Sequence, residues 1–362
     1  MRKKVIGLIT GGMAHAAAYK FLKNNNYEII VFDDDPNCYL KKKFKSIKIE
    51  KINTLKRHKN LFFWSPCNDL GSSLADNYNF KKYKVRTNEY KISNNKREIY
   101  KKIMIRELFV GKINKNKQYI KKPIFGSASR KISLFKGNIN NDKYFLQQFI
   151  KGIEISLEIY SFNGIHKIIQ TSLRVLKKYK SALCIISLDI NRQFKKRIIK
   201  KIIDVYKKIQ VFNGISHVEI IVDKNNNIYP IDINFRMGGA GVTEYLLNDT
   251  LAINCFKVDF NTLKNNKRFS NFKIRKYGVL IFEYSKDHKL RDRLIRFKKY
   301  GVYRSLKKQN PLSNKETDDN RKSMIYINSK SFKALCDKIK FILAKQKYKE
   351  AIEKIASLKT IT

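Results

Sequence analysis

The sequence predicts a chain of mixed class, with an α/β region first and α+β regions after it. Near the N-terminus an apolar run, a glycine turn, a helical segment and a second apolar run follow one another, which is the order of a βαβ unit. Further along, short strand patterns joined by turns predominate, among them one hairpin-like pair. Among these strand patterns lies a long, lysine-rich amphipathic segment, residues 190–209, which predicts a helix with one face packed on a core.

The N-terminal elements are predicted in order from apolar runs and turn residues. Val5 to Thr10 reads as a buried strand that ends at Gly11-Gly12, and Met13 to Lys23 has helical spacing. Tyr27 to Phe32 is a second strand, followed by Asp33-Asp34-Asp35-Pro36. Leu61 to Trp64 is a third, and residues 65–74 follow as a turn that opens a helix. Because a full GxGxxG pattern is absent, a dinucleotide site is disfavoured.

The remaining elements are predicted from the same patterns. We expect helices over residues 93–109, 190–209, 331–344 and 348–356. We expect strands on both sides of a small-residue turn within 119–135, and at 144–150, 153–160, 165–176, 217–222, 228–234, 278–284 and 324–327. The polar stretch 307–322 is expected to be a loop.

The charge of the chain allows two interpretations. There are 78 Lys and Arg residues against 30 Asp and Glu, a formal net charge of +48. A polyanionic partner, such as nucleic acid or a membrane surface, is one explanation. Compositional drift is the other, because Lys, Asn, Ile, Phe and Tyr are abundant while Pro, Trp and Gly are scarce. Since the lysines are scattered, we favour drift and expect neither nucleic acid nor a membrane as partner.

The cysteines and the N-terminus favour a cytoplasmic protein. The 5 cysteines are odd in number and widely spaced, without a CxxC pair, which disfavours a disulfide framework or a zinc site. No apolar run approaches the roughly 18 residues that span a bilayer. The basic start and apolar run superficially resemble a signal peptide, but Gly11-Gly12 interrupts the run and the fold pattern continues beyond it.

The segment from His217 to Gly241, HVEIIVDKNNNIYPIDINFRMGGAG, carries the densest chemistry. Alternate residues of a strand share a face, so Asp232, Asn234 and Arg236 point one way while the apolar residues between them point into a core. The turn at 223–227 can bring Glu219 alongside. Two carboxylates and an amide oxygen suit Mg²⁺, and Arg236 suits a phosphate or a developing acyl-phosphate charge. An ordinary polar hairpin would show the same spacing.

Two other clusters are weaker when taken alone. In KPIFGSASR, residues 122–130, a lysine at a strand end adjoins a Gly/Ser turn that can grip phosphates, although a surface turn is equally consistent. In QQFIKGIE, residues 147–154, an apolar strand can form one side of an adenine pocket, and Glu154 can accept hydrogen bonds from ribose hydroxyls. Taken alone, this cluster is better explained by a structural role. A structural role is also favoured for His217, for which substrate contact is the second interpretation.

The order of the three clusters resembles the ATP-grasp superfamily, above all its carboxylate–amine ligase and carbamoyl-phosphate-synthase-like branches. The N-terminal βαβ unit, with DDDPN and SPCNDLG after its strands, resembles the pre-ATP-grasp domain of those enzymes. The resemblance covers residues 3 to 260. It implies a Rossmann-like pre-ATP-grasp domain (1–95), an ATP-grasp fold of two α+β subdomains that clamp ATP (96–274), and a poorly assigned C-terminal α+β region (275–362).

The resemblance also implies roles for individual residues. Nucleotide contacts are implied for Lys96, Lys122, Gly126, Ser127, Ser129, Gln147, Ile150 and Glu154. Metal binding is implied for Glu219, Asp232 and Asn234, with Mg²⁺ or Mn²⁺ as the ion. Arg236 resembles the reaction-centre arginine, and Arg174 a ligand of the acyl phosphate or of the substrate carboxylate. Departures from the family pattern are Asp232 where Glu is usual, Lys131 where Gly is frequent, and Gln148 where Glu is frequent.

The function implied is an ADP-forming ligase that joins a small-molecule carboxylate to an amine through an acyl phosphate, consuming ATP. The alternatives are a nucleic-acid-binding protein that uses the positive charge and a catalytically inactive ATP-binding sensor. A homodimer is the expected oligomeric state because dimers are the commonest assembly.

Overall fold

The computed structural model describes residues 4–104, 117–126, 132–135, 143–177, 181–239, 241–284, 288–305, 321–343, 349–351 and 353–354. The strands are β1 (Val5–Ile9), β2 (Glu28–Phe32), β3 (Lys48–Glu50), β4 (Phe62–Trp64), β5 (Tyr119–Pro123), β6 (Ser133–Leu134), β7 (Tyr144–Gln148), β8 (Ile153–Phe162), β9 (Ile165–Lys177), β10 (Ser181–Leu188), β11 (Gly214–Val222), β12 (Ile228–Asn234), β13 (Tyr277–Tyr284), β14 (Gly301–Ser305) and β15 (Arg321–Ser329). The helices are α1 (Ala16–Asn24), α2 (Tyr39–Lys43), α3 (Asp69–Asn79), α4 (Lys96–Ile103), α5 (Arg192–Lys208), α6 (Asn248–Leu251), α7 (Cys255–Asn265), α8 (His288–Arg296) and α9 (Phe332–Ile342).

The N-terminal region is a parallel four-stranded sheet in the order β3-β2-β1-β4. The βαβ opening and the third strand predicted from the sequence are confirmed. Helix α3 begins at the predicted turn, where the Asn68 side chain accepts a hydrogen bond from the Gly71 amide and so caps the first turn. This capping turn follows β4 directly and therefore places the start of α3 at the carboxyl edge of the sheet.

A second, eight-stranded sheet has the order β12-β11-β8-β9-β10-β13-β15-β14, and every neighbouring pair in it is antiparallel. Helix α5 packs its apolar side on this sheet, with Phe194, Ile198 and Ile202 buried in the main core. The sheet continues across residue 274, because β13, β14 and β15 extend it. Strand β10 is absent from the sequence prediction, which has no element between residues 176 and 190.

The third sheet is small, with strand order β6-β5-β7. The predicted strands at 144–150 and 153–160 exist as β7 and β8, but they belong to different sheets, and residues 149–152 cross from one to the other. Gly152 is required at this crossing because a Cβ there would lie 2.3 Å from the Val222 carbonyl oxygen. The crossing therefore abuts the end of β11.

Two predicted boundaries are wrong. The helix predicted from residue 93 begins at Lys96, because the Asn95 side chain accepts from the Glu98 amide and caps it. It ends at Ile103, after which Met104 has φ of 52°; residues 105–109 lie outside the described ranges. The loop predicted over 307–322 ends earlier than expected, because Arg321 already pairs with Tyr284 in the sheet.

Within the described ranges, no helix combines the length and the apolar character that crossing a bilayer requires. All five cysteines are free thiols, and three of them, Cys38, Cys184 and Cys255, are buried.

Candidate active site

The hairpin of β11 and β12 forms the floor of the candidate site. Glu219 lies directly opposite Asp232, and His217 lies opposite Asn234. The connecting turn is held by Asp223, whose Oδ1 accepts from the Asn225 and Asn227 amides at 2.9 Å each. The predicted facing is confirmed, because the residues that alternate with the polar ones on β12 pack into the main core. The hairpin therefore places the two predicted carboxylates side by side.

Cations from two other segments reach the same hairpin. Lys96 Nζ, from the first turn of α4, lies 2.5 Å from Asp232 Oδ1. Lys122 Nζ, from β5, donates to the Ile231 carbonyl oxygen at 2.8 Å. Both lysines are largely buried, with 16% of the Lys96 side chain and 8% of the Lys122 residue exposed. Two residues predicted to contact the nucleotide thus meet a predicted metal ligand and the strand that carries it.

Arg174, on β9, ties two predicted carboxylates together. Its Nε donates to Glu154 Oε1, and its Nη1 lies 2.8 Å from Glu219 Oε1. The contacts follow from strand order, because Glu154 on β8 pairs with Arg174 on one side and with Ile221 on the other. The structure therefore brings the predicted ribose carboxylate, acyl-phosphate arginine and metal ligand into one cluster.

The charged neighbours keep the two carboxylates that were predicted to bind a metal, Glu219 and Asp232, ionised. Burial opposes ionisation of Glu219, but Arg174 and His217 outweigh it and lower its pKa to about 2. Burial also opposes ionisation of Asp232, but Lys96 and Lys122 hold its pKa well below the usual value. Both side chains are therefore anionic oxygen donors at neutral pH.

Two other groups in the cluster have pKa values displaced toward neutrality. Burial, reinforced by the like charge of Lys96, lowers the pKa of Lys122 to about 8 despite the attraction of Asp232. Burial and the neighbouring Glu219 raise the pKa of Glu154 above its ordinary value although Arg174 opposes the shift. Such displaced pKa values are common where a protein concentrates charge for binding or catalysis.

Arg236 lies at the border between the hairpin and the N-terminal region. Its Nε lies 2.6 Å from Asp69 Oδ1, its Nη2 lies 3.3 Å from Asp69 Oδ2, and its Nη1 donates to the Met237 carbonyl oxygen at 3.0 Å. Nη2 also donates to Asn234 Oδ1 at 3.5 Å. The predicted reaction-centre arginine is thus joined to a predicted metal ligand on one side and to helix α3 on the other.

The remaining predicted nucleotide residues lie on the small sheet and at its connection to the large one. Gln147 is buried beside the Tyr100 hydroxyl, and its Nε2 has no acceptor of hydrogen-bonding geometry among the described residues. Ile150 is half-buried and packs against the main core. Gly126 has φ of 115°, a conformation that favours glycine, with open space where a Cβ would stand. Ser127 and Ser129, together with Lys131, lie outside the described ranges.

One buried pair in the candidate site, His217 and Glu158, was not predicted from the sequence. His217 Nδ1 lies 2.5 Å from Glu158 Oε1, and its Nε2 lies 3.4 Å from Glu219 Oε1. Burial disfavours the imidazolium, but Glu158 and Glu219 raise the pKa of His217 to about 9. Glu158 Oε2 also accepts from the Gly238 amide at 3.3 Å. The signal in the sequence was a second glutamate in β8, four residues after Glu154 and flanked by Leu157 and Ile159.

The donor set fits the implied ligands in its chemistry. Glu219 and Asp232 offer anionic oxygens, and Asn234 adds an amide oxygen, which is the hard-oxygen set that Mg²⁺ prefers. Among the described residues no group of three or more His, Cys, Asp or Glu side chains is arranged to hold a metal ion. The cations Lys96, Lys122 and Arg174 suit the phosphates of a nucleotide.

Two segments of the chain match known protein families. Residues 108–244 match the model of a family described as "ATP-grasp domain", and residues 5–64 match one described as "Uncharacterized protein, N-terminal domain". No curated protein matches the sequence. The chain contains an ATP-grasp domain, and the resemblance seen in the sequence is confirmed.

Solved structures show the same fold over nearly the whole chain. An L-amino acid ligase from Bacillus licheniformis is similar with a TM-score of 0.67 at 12% identity, over 92% of this chain and 95% of that one. An N5-carboxyaminoimidazole synthetase from Staphylococcus aureus, complexed with ADP, has a TM-score of 0.70 at 14% identity, over 96% and 98%. A phosphoribosylglycinamide synthetase from Anaerococcus prevotii has 0.65 at 15%, over 94% and 98%. The fold class, an N-terminal α/β domain followed by an ATP-grasp fold, is therefore confirmed.

Proposed function

We propose that the chain is an ATP-dependent ligase that joins a small-molecule carboxylate to an amine and forms ADP and phosphate. The observation that carries the proposal is the convergence of Lys96, Lys122, Glu154, Arg174 and Asp232 with Glu219 in one buried cluster. These six residues come from six separate elements of the fold. The names of the similar enzymes support the reaction class, since all three are ligases or synthetases.

The proposed reaction has two steps. A carboxylate oxygen of the substrate attacks the γ-phosphorus of ATP, the bond to the β-phosphate oxygen breaks, and ADP leaves. The amine nitrogen then attacks the carbonyl carbon of the acyl phosphate, phosphate leaves with the bonding electrons, and the nitrogen loses a proton. The products are an amide, ADP and inorganic phosphate.

Each residue of the cluster has a place in this proposal. Lys96 and Lys122 bind phosphate oxygens, and Gln147 and Ile150 adjoin the adenine, with Glu154 toward the ribose. Glu219, Asp232 and Asn234 would hold Mg²⁺, or Mn²⁺, which when bound offsets the negative charge of the phosphates. Arg174 and Arg236 stabilise the charge on the acyl phosphate and on the oxyanion formed from it. Gly126, Ser127 and Ser129 are the further residues that we propose to contact the phosphates.

Lys96 must change partner during such a cycle. In the structure its ammonium neutralises Asp232, the carboxylate that would face the metal. A divalent cation and the lysine would compete for the same oxygen, whereas the phosphates of ATP offer the lysine new acceptors. We therefore expect nucleotide and metal to bind cooperatively, because ATP draws Lys96 away from Asp232.

The test is a screen for ADP release with pairs of carboxylates and amines, including amino acids. Asp232→Asn should reduce ADP release by at least roughly 100-fold, because one metal-facing charge is lost. Asp204→Asn is the matched control, since Asp204 is exposed on α5 and is not one of the residues of the cluster, and it should leave the rate unchanged. Unchanged turnover in Asp232→Asn would contradict the site. ATP binding without any ADP release would identify an inactive nucleotide binder instead.

A further inference from the structure

Arg236 and Asp69 form a forked ion pair across the border between the two regions. Both oxygens of the Asp69 carboxylate are used, at 2.6 Å from Nε and 3.3 Å from Nη2 of the guanidinium. The pair is well shielded from water, with 10% of the Arg236 side chain and 15% of the Asp69 side chain exposed. Two-point contact fixes the plane of a guanidinium as well as its position.

Two further hydrogen bonds join the chain segments that carry Asp69 and Arg236. The Met237 amide donates to the Pro66 carbonyl oxygen at 2.9 Å, and the Ser72 hydroxyl donates to the Phe235 carbonyl oxygen at 2.5 Å. Asp69 is the first residue of α3, whose N-terminus stabilises a carboxylate through the helix dipole. The start of α3 is thus anchored to residues 235–237 on both sides of the arginine.

Four of the five N–H donors of the Arg236 guanidinium have partners. Nε and one N–H of Nη2 donate to Asp69, and one N–H of Nη1 donates to the Met237 carbonyl oxygen. The second N–H of Nη2 donates to Asn234 Oδ1 at 3.5 Å. Nη2 therefore links the Asp69 carboxylate to a proposed metal ligand, and the second N–H of Nη1 has no partner among the described residues.

We propose that Asp69 is a positioning residue, supplied by the N-terminal domain, that orients Arg236 toward the reacting acyl phosphate. The inference rests on the proposed ligase function. On this proposal the N-terminal domain contributes to the reaction as well as packing against the ATP-grasp region. Without the Asp69 carboxylate, neither the position nor the orientation of the Arg236 guanidinium is fixed. A misplaced charge at the reaction centre lowers the rate of the chemical step more than it lowers the affinity for ATP.

The test compares three variants for kcat, KM for ATP and thermal stability in the presence of Mg²⁺. The rate is ADP release with the best carboxylate–amine pair of the screen, or with water as acceptor if no pair exceeds that background. Asp69→Asn should lower kcat roughly 10- to 100-fold while KM for ATP stays within about twofold. Asp69→Glu, which restores the charge on a longer arm, should recover part of kcat.

Ser72→Ala is the matched control. It removes a buried hydrogen bond between the same helix and the same segment, but it leaves the guanidinium and its partner intact. It should lower the melting temperature and leave kcat unchanged. This variant separates loss of domain contact from loss of arginine orientation.

The outcomes discriminate between the two proposals. If Asp69→Asn lowers the melting temperature but keeps wild-type kcat, the ion pair only joins the domains and the inference is wrong. If Ser72→Ala loses as much kcat as Asp69→Asn, orientation is not specific to Asp69 and the inference is also wrong. If the wild-type protein releases no ADP with any pair or with water, the ligase proposal itself falls and takes the inference with it.

Discussion

His15 shows at the scale of one residue how the fold constrains a titratable group. It is 1% exposed, and its ring nitrogens each lie 3.2 Å from a hydroxyl, Thr10 Oγ1 on one side and Ser65 Oγ on the other. Burial, with a smaller contribution from Arg236, lowers the pKa of His15 to about 3. The imidazole is therefore neutral in the folded chain at every pH above that value.

The neutral imidazole gives a pH dependence of stability. The unfolded chain takes up a proton at His15 below pH 6.5, whereas the folded chain does not until about pH 3, so stability is lost as pH falls through this window. Between pH 7 and pH 5 we expect His15 to lower the free energy of unfolding by about 2 kcal/mol. Urea denaturation of wild type and His15→Gln at both pH values measures the difference, because the glutamine keeps polar contacts but does not titrate. Equal losses in the two proteins would show that His15 is not buried in the neutral form.

The relative positions of the predicted site residues could be predicted from sequence where they depend on local geometry. The alternation along β12 and the short turn before it predict that Asp232, Asn234 and Glu219 share one face, and the structure agrees. Asp69 and Glu158 could not be placed in the same way. Their contacts depend on which distant strand or helix lies next to β11 and β12, and periodicity within one segment carries no information about that.

At the scale of elements, the turn after β12 contains two adjacent glycines, Gly238 and Gly239, whose surroundings differ. A Cβ on Gly238 would lie 2.5 Å from Glu158 Oε1 and 2.8 Å from Val242 Cγ1, whereas a Cβ on Gly239 would meet nothing within 4 Å. Glu158 cannot easily retreat, because His217 and the Gly238 amide hold its carboxylate. The close approach at Gly238 therefore depends on the absence of a side chain.

This difference predicts different outcomes for two adjacent substitutions. Gly238→Ala should lower the free energy of unfolding by about 1–3 kcal/mol through overpacking. Gly239→Ala should change it by no more than about 0.5 kcal/mol. Urea denaturation of both variants at one pH provides the comparison. Similar losses in the two would contradict the packing of Glu158 against this turn.

Elements were predictable where the sequence carries caps and alternation. Asn68, Asn95 and Asn191 each cap a helix through the side chain, and polar residues before helical spacing are visible in sequence. Strand β10 was missed, because its apolar run, which follows β9 and precedes α5, shows no alternation. It is buried on both faces in the middle of the large sheet, and such strands have no polar side to mark them.

At the scale of the whole molecule, the N-terminal sheet and the large sheet share one core. Asp259 on α7 accepts from Trp64 Nε1 at 2.8 Å, from Arg86 Nη2 at 2.5 Å and from the Ile215 amide at 2.8 Å. All of these groups are buried, and Trp64 and Ile215 pack in the same apolar cluster as Phe256 and Phe260. The N-terminal domain is thereby held against the strand that carries Glu219, which is what positioning by Asp69 requires.

The candidate site is rich in carboxylates, although the chain as a whole is strongly basic. The chain has 30 acidic residues among 362 and a net charge of +48, yet Asp69, Glu154, Glu158, Glu219 and Asp232 gather around one hairpin. Drift toward lysine explains scattered surface charge, but it does not bring rare acidic residues together. The concentration of carboxylates is therefore a property of the site.

The most direct test of the account is a calorimetric titration of ATP into the wild-type protein and Asp232→Asn, each with Mg²⁺ and with a chelator. If Glu219, Asp232 and Asn234 hold the metal, Mg²⁺ should tighten ATP binding to the wild type by tenfold or more, about 1.4 kcal/mol, and should tighten binding to the variant far less. The comparison is made within each protein because losing the Asp232 charge alone favours an anionic ligand. An equal gain from Mg²⁺ in both proteins would contradict the metal site and, with it, the central claim.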